Sequence, residues 1–199
     1  MLKLILPIIS FVVGAIPFGY MIAQLVKGVD IRTQGSGNVG ATNVFRVVGK
    51  SWGILVFCLD FLKGFAIVFL AYLVQDFGPY LLIITGVLAI CGHNWTPFLK
   101  FKGGKGVATS LGVLFALSFS FTSLKIILPA TLLAWVIVFA LSRMVSLASL
   151  LASLVFVVLA LFLSQGPQIK ILAILLFLFI LIRHQGNIKR IFKGRENKF

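Results

Sequence analysis

The chain has 199 residues, 60% hydrophobic and 11% charged, with a mean hydropathy of +1.14. A soluble domain carries about 25% charged residues, so this chain cannot hide its apolar surface within itself and needs lipid as part of its solvent. Its 18 Lys and Arg against four acidic residues give a net charge of +14, which in a membrane protein marks cytoplasmic loops and anion sites rather than nucleic-acid binding.

A spanning helix needs about 20 apolar residues, within a range of about 17–25. In chain order such stretches fall at 4–26, 52–75, 80–98, 146–164 and 169–183. No small-residue cleavage site closes the first, which reads as a retained span rather than a signal peptide. The stretch from Val107 to Leu141 would make one helix of about 52 Å at about 1.5 Å per residue, too long for a hydrocarbon core of about 30 Å. Ser118, Ser120, Thr122, Ser123 and Lys125 interrupt it, and Pro129 suits the start of a new helix. Two helices, 107–121 and 126–141, are expected there.

Seven spans put the N-terminus outside and the C-terminus in the cytoplasm. Of the 18 Lys and Arg, only Lys3, Lys125 and Lys170 then fall outside, with Lys63 inside a span. Six spans would export the basic tail, against the positive-inside rule. The expected fold is an all-α integral membrane protein of seven transmembrane helices, a single domain over 1–199. Cys58 and Cys91 sit in apolar stretches without C-x-x-C spacing, so no disulfide framework or zinc site is expected.

The loop after the first span contains "QGSGNVGATN", in which Gly35, Gly37 and Gly40 spell the dinucleotide fingerprint G-x-G-x-x-G. That fingerprint has meaning only between a strand and a helix of a βαβ unit, and no such pattern surrounds it. The loop still concentrates donors: Ser36, Asn38, Thr42, Asn43 and Arg46 around three glycines. Glycines let backbone N–H groups converge on an anion, and hydroxyl, amide and guanidinium groups add to them. A plain polar connector needs no such density.

A second loop, "KFKGGKGVAT", places Gly103, Gly104, Lys105 and Gly106 at the entry of a helix, where unpaired N–H groups and the helix dipole favour phosphate. It is not a Walker A loop, because Leu99 stands where the first glycine belongs and Gly106 where Ser or Thr should follow the lysine. Ser142 and Arg143 follow the fifth span, and Arg183, His184, Asn187 and Glu196 follow the last. His184 suits either a proton carrier or a headgroup contact. His93, in "CGHNWTPF", reads as a structural residue holding the turn before Pro97. Asp60 and Lys63 have the i, i+3 spacing of an intrahelical pair, and an internal clamp orienting the adjacent loop is expected from them.

Together, "SGNVGATNVFRVVGK", "DFLKG", "GHNWTPFLKFKGGKGVATS", "SRMVSLAS" and the tail bearing His184, Asn187 and Glu196 resemble the acyl-phosphate-dependent glycerol-3-phosphate acyltransferases of bacteria, the PlsY family. The resemblance runs along nearly the whole chain. It implies an enzyme of the bacterial inner membrane, with its site facing the cytoplasm. The implied reaction moves a fatty acyl group from acyl-phosphate to the 1-hydroxyl of sn-glycerol 3-phosphate, releasing lysophosphatidic acid and inorganic phosphate. No metal, coenzyme A or nucleotide is implied, and the soluble enzyme that makes acyl-phosphate is an implied partner.

By position, the resemblance implies Ser36, Arg46, His184 and Asn187 as activity residues. Gly37, Asn38, Gly40 and Thr42 join Ser36 and Arg46 around the acyl-phosphate. Gly103, Gly104, Lys105 and Gly106, with Ser142 and Arg143, fall to glycerol 3-phosphate, and Glu196 to a structural anchor. The family tail commonly reads H-R-E-N, whereas Gln185 and Gly186 separate His184 from Asn187 here. No Ser–His–Asp set is evident, since Asp30, Asp60, Asp76 and Glu196 offer His184 no obvious orienter. The base is then either His184 or a substrate phosphate. From a different class, a phosphate-ester or anion transporter would also show spans and basic loops, but transporters place binding at the bilayer midplane among broken helices related by repeats. Here the midplane holds only Asp60 and Lys63.

Overall fold

A computed structural model of the chain describes residues 2–74, 78–164 and 166–199, with side chains from residue 5 onward. Asp76 lies outside the described residues. The regular structure among them is entirely helical. The chain divides into two compact units, Met1–Leu117 and Ser118–Phe199.

The first unit contains α1 (Leu2–Ala15), α2 (Phe18–Lys27), a 3-10 turn at Ile31–Thr33, α3 (Ala41–Val47), α4 (Lys50–Leu73), α5 (Pro79–Asn94), a second 3-10 turn at Pro97–Leu99, and α6 (Val107–Leu117). Its main pairings are α1 with α5, α4 with α6 and α3 with α4. In lipid, helices gain little from burying leucines against each other, so close approach at small residues does more. A Cβ on Gly14 would overlap Ala89, and one on Gly92 the Phe11 carbonyl, which brings α1 against α5. Gly64 against Thr109 and Gly112 against Phe61 do the same for α4 and α6.

The expected span 4–26 is one apolar stretch, Ile5–Lys27, but two helices. Pro17 has no N–H and pushes Ile16 out of helical geometry. The freed carbonyls are taken from elsewhere in the unit. Thr96 Oγ1 donates to the Ala15 carbonyl at 2.6 Å, and Lys63 Nζ donates to the Ile16 carbonyl at 2.8 Å.

The second unit contains α7 (Leu124–Ser142), α8 (Val145–Leu163), α9 (Pro167–Arg183) and α10 (Gln185–Phe192). Here α8 packs between α7 and α9, and α10 turns away from α9 by 64°. The 107–141 stretch divides as its length requires, with two differences from the expectation. The first helix stops at Leu117, and the second begins at Leu124, so Pro129 lies inside α7 rather than at its start. Proline six residues into a helix removes one hydrogen bond near an end where several groups are already unpaired. Five stretches among the described residues are long and apolar enough to cross a membrane, or six if α9 and α10 count as one bent span.

Candidate active site

The loop after α2 is built around Asn43. This buried side chain sits on α3 and accepts the Ser36 N–H at 2.9 Å through Oδ1. Its Nδ2 donates to the Gln34 carbonyl at 3.0 Å and the Ile31 carbonyl at 3.2 Å. Gly35 and Gly37 turn the chain at φ +56° and +70°, and a Cβ on Gly35 would overlap Asn43 Oδ1. Only glycine meets both demands without strain. Gly40 has an ordinary φ of −82° and donates its N–H to Asn38 Oδ1 at 2.9 Å. The Asn38 oxygen is taken within the turn, and its amide nitrogen is the half able to donate to an anion. Thr42 is half-buried and Arg46 exposed on α3. Before the loop, Arg32 Nε and Nη2 grip Asp30 at 2.9 and 2.6 Å, and this hydrogen bonding holds the Asp30 carboxyl below its usual range.

Below the second loop lies a buried ionic group. Lys63 Nζ meets Asp60 Oδ1 at 2.8 Å, the pair that their spacing allows. His93 Nδ1, from the end of α5, stands 3.5 Å from the same oxygen. After the turn at Pro97–Leu99, two non-glycine residues adopt left-handed geometry, Lys100 at φ 54° and Phe101 at φ 61°. The Phe101 N–H anchors that turn on the Thr96 carbonyl at 2.9 Å. The chain then returns over His93, and the Gly104 N–H donates to the His93 carbonyl at 3.0 Å. Gly103, Gly104 and Gly106 are buried and Lys105 half-buried at the entry of α6. The two loops share a core, with Val39 and Val44 of the first packing in one cluster with Leu99 of the second.

In the second unit, Ser142 ends α7 and Arg143 caps it at φ 59°. The Ser142 hydroxyl donates to the Val138 carbonyl at 2.7 Å and accepts the Met144 N–H at 3.1 Å. In this arrangement Ser142 shapes the turn that presents Arg143. His184 is buried at the α9–α10 corner, with Nδ1 2.9 Å from the Ile180 carbonyl. A carbonyl only accepts, so Nδ1 carries the proton and Nε2 bears the lone pair of the neutral ring. Glu196 collects three partners: Asn187 Nδ2, Ser146 Oγ at 2.8 Å and Arg190 Nε at 2.8 Å. Burial alone would raise its pKa, but these hydrogen bonds outweigh that and hold it below the usual range.

With this geometry, residues 4–194 match the family described as glycerol-3-phosphate acyltransferase. The chain belongs to that family. It is 46% identical over 202 residues to the glycerol-3-phosphate acyltransferase of Aquifex aeolicus, covering all of both chains. It is 41% identical to that of Desulforudis audaxviator over 96% of this chain and 92% of the relative. Among solved structures it is similar to PlsY (YgiH), an integral membrane glycerol 3-phosphate acyltransferase, at 43% identity. The coverage there is 100% of this chain and 96% of the other, with TM-scores of 0.90 for the glycerol 3-phosphate form and 0.86 for the lysophosphatidic acid form.

Within this acyltransferase, several residues that organise the loops were not singled out by sequence reasoning. Thr96 holds the helix break. Ser146, a partner of Glu196, looked like one of several serines in an apolar helix. Asn43 stood among the donors, yet all of its amide groups face its own loop. For Asn43 and Ser146 the available signal was a polar residue placed where helical periodicity puts the buried face.

Proposed function

We propose that the chain transfers a fatty acyl group from acyl-phosphate to the 1-hydroxyl of sn-glycerol 3-phosphate at the cytoplasmic face of a bacterial inner membrane. The observation that carries this reading is the full-length likeness to a protein solved with glycerol 3-phosphate and with lysophosphatidic acid. In this reading seven spans cross the bilayer, with the N-terminus outside. The short α6 is the fourth, and the buried glycine loop leads into it. Irregular backbone is tolerated at membrane depth where protein buries it.

The hydroxyl oxygen attacks the acyl carbonyl carbon, the bond from that carbon to the oxygen bridging to phosphorus breaks, and phosphate leaves with the electron pair. Phosphate is already a good leaving group once donors neutralise it, so no acyl-enzyme is needed. Ser36 therefore serves as a ligand. Arg46, the Asn38 amide and Thr42 complete a donor set for the acyl-phosphate, and Lys105 with the loop at Gly103–Gly106 holds the phosphate of glycerol 3-phosphate. Arg143 adds a cation for that substrate. Holding the hydroxyl about 3–3.5 Å from the carbonyl carbon is worth up to about 7–11 kcal/mol.

The hydroxyl proton has two candidate acceptors. His184 offers Nε2, as its contact with Ile180 dictates. A substrate phosphate, with a second pKa of about 6 by analogy with phosphorylated side chains, is the other. Asn187 and Glu196 hold the corner on which His184 sits.

The test supplies purified protein with glycerol 3-phosphate and either acyl-phosphate or acyl-coenzyme A, following lysophosphatidic acid and free phosphate together. Equal release of both from acyl-phosphate alone is expected. Turnover only with acyl-coenzyme A would reject the donor, and turnover with neither would reject the reaction.

A further inference from the structure

The glycines of the second loop have a structural reason that phosphate binding alone does not give. A Cβ on Gly104 would overlap His93 Nε2, with Cε1 and Cδ2 only 2.8 and 3.0 Å away. A Cβ on Gly103 would overlap the His93 carbonyl oxygen and stand 2.8 Å from the Asn94 carbonyl oxygen. At Gly106, where φ is +76°, a Cβ would come within 2.6 Å of Asn94 Oδ1. The loop therefore lies directly on the last two residues of α5, with the imidazole beneath Gly104.

That imidazole is itself held. The opposite ring nitrogen, Nδ1, faces Asp60 Oδ1 at 3.5 Å, and Lys63 pairs with that same oxygen at 2.8 Å. Lys63 also reaches the Ile16 carbonyl at the helix break. The ring lies with Nδ1 toward the carboxylate and Nε2 toward Gly104. His93, Asp60 and Lys63 are all buried. A recess lined by Pro17, Phe18, Val39, Asp60, His93 and Thr96 lies beside them.

We propose that His93, aligned by Asp60, is a positioning residue for the glycine loop and sets the enzyme's affinity for glycerol 3-phosphate without touching it. The proposal rests on the reading of Gly103–Gly106 and Lys105 as the site for that substrate. Replacing the ring leaves space beneath Gly104, and the loop's donors lose their fixed positions. The chemistry at the carbonyl carbon and the acyl-phosphate donors on the first loop are untouched.

The experiment measures steady-state kinetics, varying each substrate, for H93N, D60N, the double variant and K105A, with thermal unfolding in detergent for each. The amide nitrogen of H93N can still face Asp60, so the ion pair keeps its neighbour while the seat under Gly104 empties. D60N keeps the packing and removes the charge that aligns the ring. H93N and D60N are each expected to raise KM for glycerol 3-phosphate about tenfold, leaving kcat and KM for acyl-phosphate within about twofold. The double variant is expected to fall within about twofold of the worse single one, because both act through one ring.

An unchanged KM for glycerol 3-phosphate in H93N would overturn the proposal, as would equal rises in both KM values, a fall confined to kcat, or multiplying effects in the double variant. So would the loss of a defined unfolding transition in H93N, because a positioning role confined to the loop leaves the fold intact. K105A separates the two levels. If it leaves KM for glycerol 3-phosphate unchanged, the substrate reading of the loop fails. If it raises that KM while H93N does not, only the positioning role fails.

Discussion

Asn43 makes three hydrogen bonds from a fully buried amide, and its truncation leaves one N–H and two carbonyls to find other partners. An unpaired buried polar group costs about 1–3 kcal/mol. Asn43→Ala is therefore expected to lower the melting temperature in detergent by about 4–8 °C, taking about 2 kcal/mol at 2–4 °C for each. Asn43→Asp keeps the acceptor for Ser36 but turns an oxygen toward the Ile31 and Gln34 carbonyls, so it should be at least as damaging. Thermal unfolding of both variants checks the order.

At the level of elements, the α9–α10 corner and the tail are joined to α8 through Glu196, which binds Ser146, Asn187 and Arg190. Its folded pKa is depressed, so its contribution is present above the unfolded value of about 4.3 and fades as pH falls through the folded one. The wild-type melting temperature should fall as pH drops below about 4.3, and Glu196→Gln should be less stable at pH 7 with a flatter profile in the acid window. A steep acid loss retained in Glu196→Gln would assign it to other groups. The break in the first span belongs to this scale too. Pro17 was visible in the sequence, but a helix break is stable in lipid only if the freed carbonyls find donors, and Lys63 and Thr96 supply them from 47 and 81 residues away.

For the whole molecule, orientation is the property that charge decides. In the proposed topology of seven spans with the N-terminus outside, Lys125 would face outward while Lys50 and Lys198 would face the cytoplasm. In a background lacking Cys58 and Cys91, a membrane-impermeant thiol reagent applied to intact cells should label Lys125→Cys and spare Lys50→Cys and Lys198→Cys until the membrane is opened. Labelling of Lys198→Cys in intact cells would reject the seven-span topology.

Much of this was legible before any coordinates. Hydropathy placed the apolar stretches, because lipid forces backbone polar groups into helices and so writes span lengths into the composition. The ordered motifs carried the family, and the i, i+3 spacing of Asp60 and Lys63 carried their pairing, since both are local along the chain. The tertiary structure alone decided what the glycines are for. Gly35 makes room for Asn43, and Gly103 and Gly104 make room for His93, contacts between segments that sequence order does not bring together. A glycine in a sequence records that a side chain is absent, and only the packed fold shows what occupies the space.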